Sequence, residues 1–159
     1  MSQLTKNFKV EDFAVSNDYP DLAKNIKFSD VDKAKLFYLA STILEPAWKA
    51  LGQIINLSGK RSPELNEAVG GSDDSDHKFE KISCADDFTF ARAFDRGVNT
   101  KDYIRKGFIW VQNTMPHAFG QLIYYPGKKF IHISLPTPKH QGEVICIPAK
   151  RGDTSVTKA

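Results

Sequence analysis

The sequence predicts an α+β fold, with helices packed against a small antiparallel β-sheet. Three observations carry this reading. From Val31 to Leu51, the apolar residues Leu36, Leu39, Ala40, Ile43, Leu44, Ala47 and Leu51 recur at steps of three and four. That spacing draws one buried stripe along a helix. Three short apolar runs, 121–125, 130–135 and 143–147, read as strands, and Pro126-Gly127 between the first two is a turn. Strands so close in sequence connect most simply as an antiparallel hairpin. Finally, Phe94, Tyr103, Ile104, Phe108, Ile109 and Val111 sit among charges over residues 92–113, which predicts a second helix ending near Gln112.

The elements follow in order. Phe8, Val10 and Phe13 anchor a short N-terminal segment. Residues 14–30 are rich in turn formers and read as loop, with Ser29 or Asp30 placed to cap the first long helix. Pro46 lies inside that helix and should kink it or break its last turns, and Gly52 suits its end. Residues 54–58 read as a short strand. Ser62-Pro63-Glu64 starts a short helix carrying Leu65 and Val69, with proline at its tolerated first position and Gly70-Gly71 after it. Residues 84–90 read as a strand with Cys84, Asp86, Phe88 and Phe90 on one face and Ala85, Asp87 and Thr89 on the other.

Composition bounds the class. The chain has 159 residues, 41% hydrophobic and 26% charged, which suits one soluble domain with its own core. Residues 1–149 are read as that domain and 150–159 as a polar, projecting tail. The tail's Arg151-Gly152-Asp153 is taken as a chance match. A net charge of +3 without a long basic run is no nucleic-acid footprint, and no apolar run is long enough for a membrane span. The N-terminus lacks the apolar stretch of a signal peptide, so synthesis in a cytoplasm is expected. Cys84 and Cys146 read as two buried thiols, not a disulfide framework.

The chemistry-bearing residues are His77, His132 and an aspartate. Two histidines and one carboxylate suit a catalytic zinc, which takes three protein ligands and leaves a position open to water. Along strand 130–135, Ile131, Ile133 and Leu135 share the core face, and His132 points the other way with Phe130 and Ser134. If that strand pairs with 84–90, Asp87 and His132 meet on one side of the sheet. Asp86 then points into the core, where a bare carboxylate is costly without a partner.

The ordered string Ser58-Gly59-Lys60-Arg61-Ser62-Pro63-Glu64-Leu65-Asn66, Val69-Gly70-Gly71-Ser72, Ser75-Asp76-His77, Ala85-Asp86-Asp87-Phe88, Gln121-Leu122-Ile123 and Phe130-Ile131-His132-Ile133-Ser134 resembles the zinc D-Ala-D-Ala carboxypeptidase family, found in many phage endolysins. The resemblance covers about residues 7–135. It implies a hedgehog-type α+β fold whose antiparallel sheet carries Zn2+ on His77, Asp87 and His132. It implies that Arg61 polarises the substrate, that Ser75 lines the substrate site, and that the reaction is hydrolysis of an amide in bacterial peptidoglycan stem peptides. Such an enzyme would act at the bacterial cell wall, as a free endolysin or as a virion component beside other virion proteins.

Two features depart from the family pattern. Nine residues separate His77 from Asp87, more than in relatives, which places an insertion within 78–83 and leaves Asp86 open as the alternative ligand. The general base is also missing. Where relatives carry a carboxylate this chain has Tyr124-Tyr125 or Lys129, and His117, Glu80 and Asp86 are the candidates to substitute. A virion structural or wall-binding protein that kept the fold without catalysis is the alternative reading, and a metal-free α+β binding domain is a third.

Overall fold

The computed structural model describes residues 3–147 and the backbone of Thr157–Lys158. The order is α1 (Pro20–Ala23), α2 (Asp30–Leu39), α3 (Glu45–Leu51), β1 (Ile54–Ser58), α4 (Pro63–Ala68), β2 (Ala85–Phe90), α5 (Thr100–Thr114), β3 (Gln121–Tyr124), β4 (Ile131–Ser134), β5 (Glu143–Cys146) and β6 (Thr157–Lys158). This is an α+β arrangement, as predicted. Short 3-10 turns at Val10–Phe13, Asp76–Lys78 and Ala91–Phe94 link the main elements. The short helix α1 falls in the stretch expected to be loop. Pro20 opens it, at the position where its missing N–H costs nothing.

The long helical stripe is real, but one turn is rewound. Ser29 caps α2, its hydroxyl accepting the Asp32 N–H at 3.0 Å while the Asp32 carboxylate accepts the Ser29 N–H at 3.0 Å. Residues Ala40–Leu44 then form a π-helical turn that runs straight into α3. Pro46 supplies the reason. It has no N–H for the carbonyl four residues back, and widening the preceding turn relieves the ring's clash with that carbonyl. The helix is therefore bulged instead of broken.

The sheet order is β1-β2-β4-β3-β5-β6. The predicted hairpin forms, with Leu122 opposite Ile133 and Ile123 opposite His132. The expectation of a wholly antiparallel sheet is corrected, because β5 runs parallel to β3. The cause is where the connection lands. Strand β4 ends beside the start of β3, and the loop over 135–142 crosses that same end. There Gly142 N–H donates to the Phe119 carbonyl at 2.9 Å and Glu143 N–H to the Gly120 carbonyl at 2.8 Å. Strand β5 thus starts level with β3 and runs alongside it. The tail expectation also changes, since Thr157–Lys158 returns to pair with β5. Arg151-Gly152-Asp153 lies outside the described residues.

The core lies between one sheet face and the helices. Phe88, Phe90, Leu122, Ile131 and Ile133 from the sheet meet Leu36, Leu39, Ile43, Ile104, Phe108 and Val111 from the helices, all buried. Gly107 lets α5 approach closely: a Cβ there would sit 2.4 Å from the Phe90 ring. Phe88 is fully buried with its ring edge-on to Phe90 at 5.6 Å. Phe88→Ala is expected to cost about 3–5 kcal/mol in chemical denaturation, from lost burial plus the cavity left behind. Cys84 is buried and Cys146 half-buried, and both are free thiols. Among the described residues no helix is long and apolar enough to cross a membrane.

Candidate metal centre

Three segments converge on the face of the sheet opposite the helical core. Asp87 on β2 and His132 on β4 are direct cross-strand partners. Both therefore point the same way, as alternation requires. His77 comes from the 3-10 turn Asp76–Lys78, which Ser75 caps by accepting the His77 N–H at 3.3 Å. Arg61 N–H donates to the His77 carbonyl at 2.7 Å and ties this turn to the strand-to-helix segment before α4.

The imidazole of His77 is aimed by a backbone carbonyl. Its Nδ1 lies 2.8 Å from the Gly59 oxygen, so Nδ1 carries the proton and Nε2 presents a bare lone pair. The Gly59 carbonyl can sit there because Gly59 packs against backbone, where a Cβ would come within 2.2 Å of the Phe13 oxygen. A carbonyl holding the far nitrogen is the usual outer support of a metal-binding histidine.

Three atoms able to ligate a metal then face one another. His77 Nε2 lies 3.2 Å from Asp87 Oδ1 and 3.2 Å from His132 Nδ1, and His132 Nδ1 lies 2.8 Å from Asp87 Oδ1. Tetrahedral zinc with bonds of about 2.0–2.2 Å separates its ligand atoms by roughly 3.3 Å. The observed triangle is near that size and only slightly contracted. An ion at the centre of this triangle would be reached by all three atoms at once. His77, Asp87 and His132 together could hold a metal ion.

The electrostatics agree with this. Burial lowers the pKa of His77 and favours its neutral, ligating form. Burial works against the charge on Asp87, but the facing His77 and His132 outweigh it and hold its carboxyl well below the usual carboxylate range. The longer spacing after His77 is absorbed by a turn in which Phe79 and Lys81 take left-handed backbone (φ 59° and 52°). Phe79 plugs this turn into the core, and Lys35 Nζ donates to its carbonyl at 2.8 Å.

The choice between the adjacent aspartates is settled by facing. Asp86 lies on the core side, fully buried, and neither carboxyl oxygen has a hydrogen-bond partner. Burial and the neighbouring Asp87 charge push its pKa well up. Asp86→Val is expected to raise stability by about 1–3 kcal/mol, since it removes an unsatisfied buried polar group at nearly constant volume. A thermal melt with metal content unchanged would check it, and a destabilised variant would show that Asp86 has a partner in solution.

The structure gathers some expected site residues and not others. Arg61 joins the centre: burial lowers its pKa, and the nearby Asp87 carboxylate works the other way. Its Nη1 donates to Asn66 Oδ1 at 3.3 Å, and its Nε is buried without a partner. Ser75 stands beside the site, with its hydroxyl engaged in capping the His77 turn. The base candidates do not gather there. Glu80 turns outward to Lys78 at 2.9 Å, Asp86 is behind the sheet, and His117 is exposed on the turn after α5.

Sequence reasoning gave no site role to Asn66 or to the Gly59 carbonyl. Asn66 is 4% exposed and fixed by its own Nδ2 bond to the Ser72 carbonyl at 2.9 Å, so it aims Arg61. Its burial inside a polar stretch leaves no trace in periodicity. Tyr125 also faces the centre: Ile123 pairs with His132, and Tyr125 follows two residues later on the same side. Its ring meets Phe130 at 5.2 Å, and burial raises its pKa, so its hydroxyl is a donor at neutral pH.

No protein-family model, no curated protein and no solved structure matches this chain.

Proposed function

We propose that this chain is a zinc-dependent peptidase of the D-Ala-D-Ala carboxypeptidase type that hydrolyses peptide bonds in bacterial peptidoglycan, acting as a phage endolysin or virion-associated lysin. The observation that carries the reading is the triangle of ligand atoms at His77, Asp87 and His132, with His77 held in its ligating tautomer by the Gly59 carbonyl. Zinc is the ion that best suits two imidazoles and one carboxylate in an open, small triangle. Bound there, it would supply Lewis acidity for activating water and polarising a carbonyl.

The chain's own residues supply the rest of the site. Arg61 brings a guanidinium close to Asp87, a donor group suited to the oxygen of a scissile carbonyl as charge develops on it. Asn66 keeps that guanidinium in place. The Tyr125 hydroxyl is a neutral donor on the same face, fit to hydrogen-bond the substrate amide or protonate a leaving amine.

One observation favours a second reading. Among the described residues, the only carboxylate in the clustered group is Asp87, which is a ligand. A virion protein that keeps the metal centre for structure, without turnover, also suits that arrangement. Zymography on purified peptidoglycan, with mass spectrometry of released fragments, separates the two. The peptidase reading expects cleared walls and new peptide termini from wild type and none from Asp87→Asn. Wild-type protein loaded with zinc that releases no fragment would sink it in favour of the structural role.

A further inference from the structure

We infer that the outer edge of β1 is a docking strand for an extended peptide segment of another molecule, one carrying a lysine-type ammonium. This does not rest on the peptidase reading. Strand β1 ends the sheet, with β2 as its one strand neighbour. The Gln53 carbonyl accepts the Ala91 N–H at 2.9 Å, so Gln53 turns its backbone groups toward β2. Alternation then turns those of Ile55 inward and those of Ile54 and Asn56 outward. The turn Val10–Phe13 packs against β1 on this side, but backbone pairing with that segment begins only at Ser58, which bridges Ser16, and at Lys60, whose N–H donates to the Phe13 carbonyl at 2.9 Å. Among the described residues, nothing pairs with the outward N–H and C=O groups of Ile54 and Asn56. The Asn56 side chain adds a further buried donor, Nδ2, without a partner.

A cleft of about 440 Å³ runs along this same stretch of strand. Its size lies within the roughly 300–1,000 Å³ of ligand clefts. Phe8 and Trp48, packed edge-on at 5.5 Å, give it an apolar side, and Ala14 and Val15 line it further. A strand edge beside a cleft with an apolar side and an acidic one suits addition of an extended peptide: its main chain pairs with the edge and alternate side chains enter the cleft. Folded proteins usually protect such edges with lysine, proline or a bulge. Residues 54–56 contain neither lysine nor proline, and the bulge of β1 lies just beyond them, between Asn56 and Ser58.

Charge selects the peptide. Glu11 and Asp12 line the cleft and no Lys or Arg does, although the chain as a whole carries a net charge of +3. Glu11 is exposed, and Asp12 spends one oxygen on the Lys9 N–H at 2.8 Å. An ammonium on the peptide side chain facing Glu11 meets this local negative field, and a carboxylate there is repelled.

The test uses fluorescein-labelled peptides of alternating valine and lysine, with valine–glutamate and proline-interrupted counterparts. Binding is read by anisotropy, and the site by amide shifts of ¹⁵N-labelled full-length protein. The valine–lysine peptide is expected to bind, to shift the Ile54 and Asn56 amides, and to weaken with salt, while both counterparts fail. Glu11→Lys is expected to weaken it about tenfold or more by reversing the local charge. Asn56→Pro removes one outward N–H at an edge position that tolerates proline, and should weaken binding with circular dichroism unchanged. Equal binding of the valine–glutamate peptide, no binding at all, or shifts confined to the surroundings of His77, Asp87 and His132 would overturn the assignment.

Discussion

Protein purified without chelators is expected to carry about one zinc ion per chain, and His132→Ala to carry essentially none. The expectation follows from the geometry of the three side chains. Asp87 Oδ1, His77 Nε2 and His132 Nδ1 approach within 2.8–3.2 Å, and the His77 proton is committed to Gly59. Removing one of three ligands leaves two, too few to hold the ion against a competing chelator. Binding also links distant parts of the chain, because His77 sits in a loop and the other two ligands on paired strands. A ligand present at a thousand times its dissociation constant stabilises the native state by about 4 kcal/mol. Chelation should therefore lower the melting temperature of wild type and leave His132→Ala unmoved. Inductively coupled plasma mass spectrometry and a melt with and without chelator check both halves. A wild-type protein that stays metal-free after reconstitution with zinc would refute the site.

On the proposed peptidase reading, Arg61→Ala is expected to lower turnover on peptidoglycan peptides by about 10²–10³, as loss of an oxyanion donor does elsewhere. The effect should fall on kcat more than on KM, since the missing bond strengthens as charge develops. Arg61→Lys should restore little, because a lysine ammonium cannot place a donor where Nε points and also bond Asn66 through a second nitrogen. Metal content should remain at the wild-type level in both variants, which separates loss of a donor from loss of the ion. An Arg61→Ala protein with unchanged kcat would place the guanidinium in a purely structural role, bonded to Asn66 of α4.

Much of the site was legible because strand alternation is simple. The two-residue period put Asp87 and His132 on one face, and their register in the folded chain is direct. The same period placed Asp86 in the core, where it is buried without partners. The amphipathic stripe from Leu36 to Leu51 likewise marked the helices that cover the sheet. What stayed hidden depends on backbone geometry and on contacts between distant residues. The π turn at Ala40–Leu44 answers to a missing hydrogen bond, which apolar spacing does not record. The parallel pairing of β5 depends on where a loop crosses, and the aiming of Arg61 by Asn66 depends on a side chain buried within a polar stretch.

The sheet order also has a consequence for how the chain is made. Strand β2, bearing Asp87 between Asp86 and Phe88, is complete when residue 90 has been synthesised, but its inner neighbour β4 spans Ile131–Ser134. Until then β2 lacks its inner partner, and an unpaired strand edge is the kind of surface that recruits other unfinished chains. Chains truncated before residue 131 should accordingly collect in the insoluble fraction of an expression culture, and chaperones that shield nascent strands should raise the yield of the complete protein.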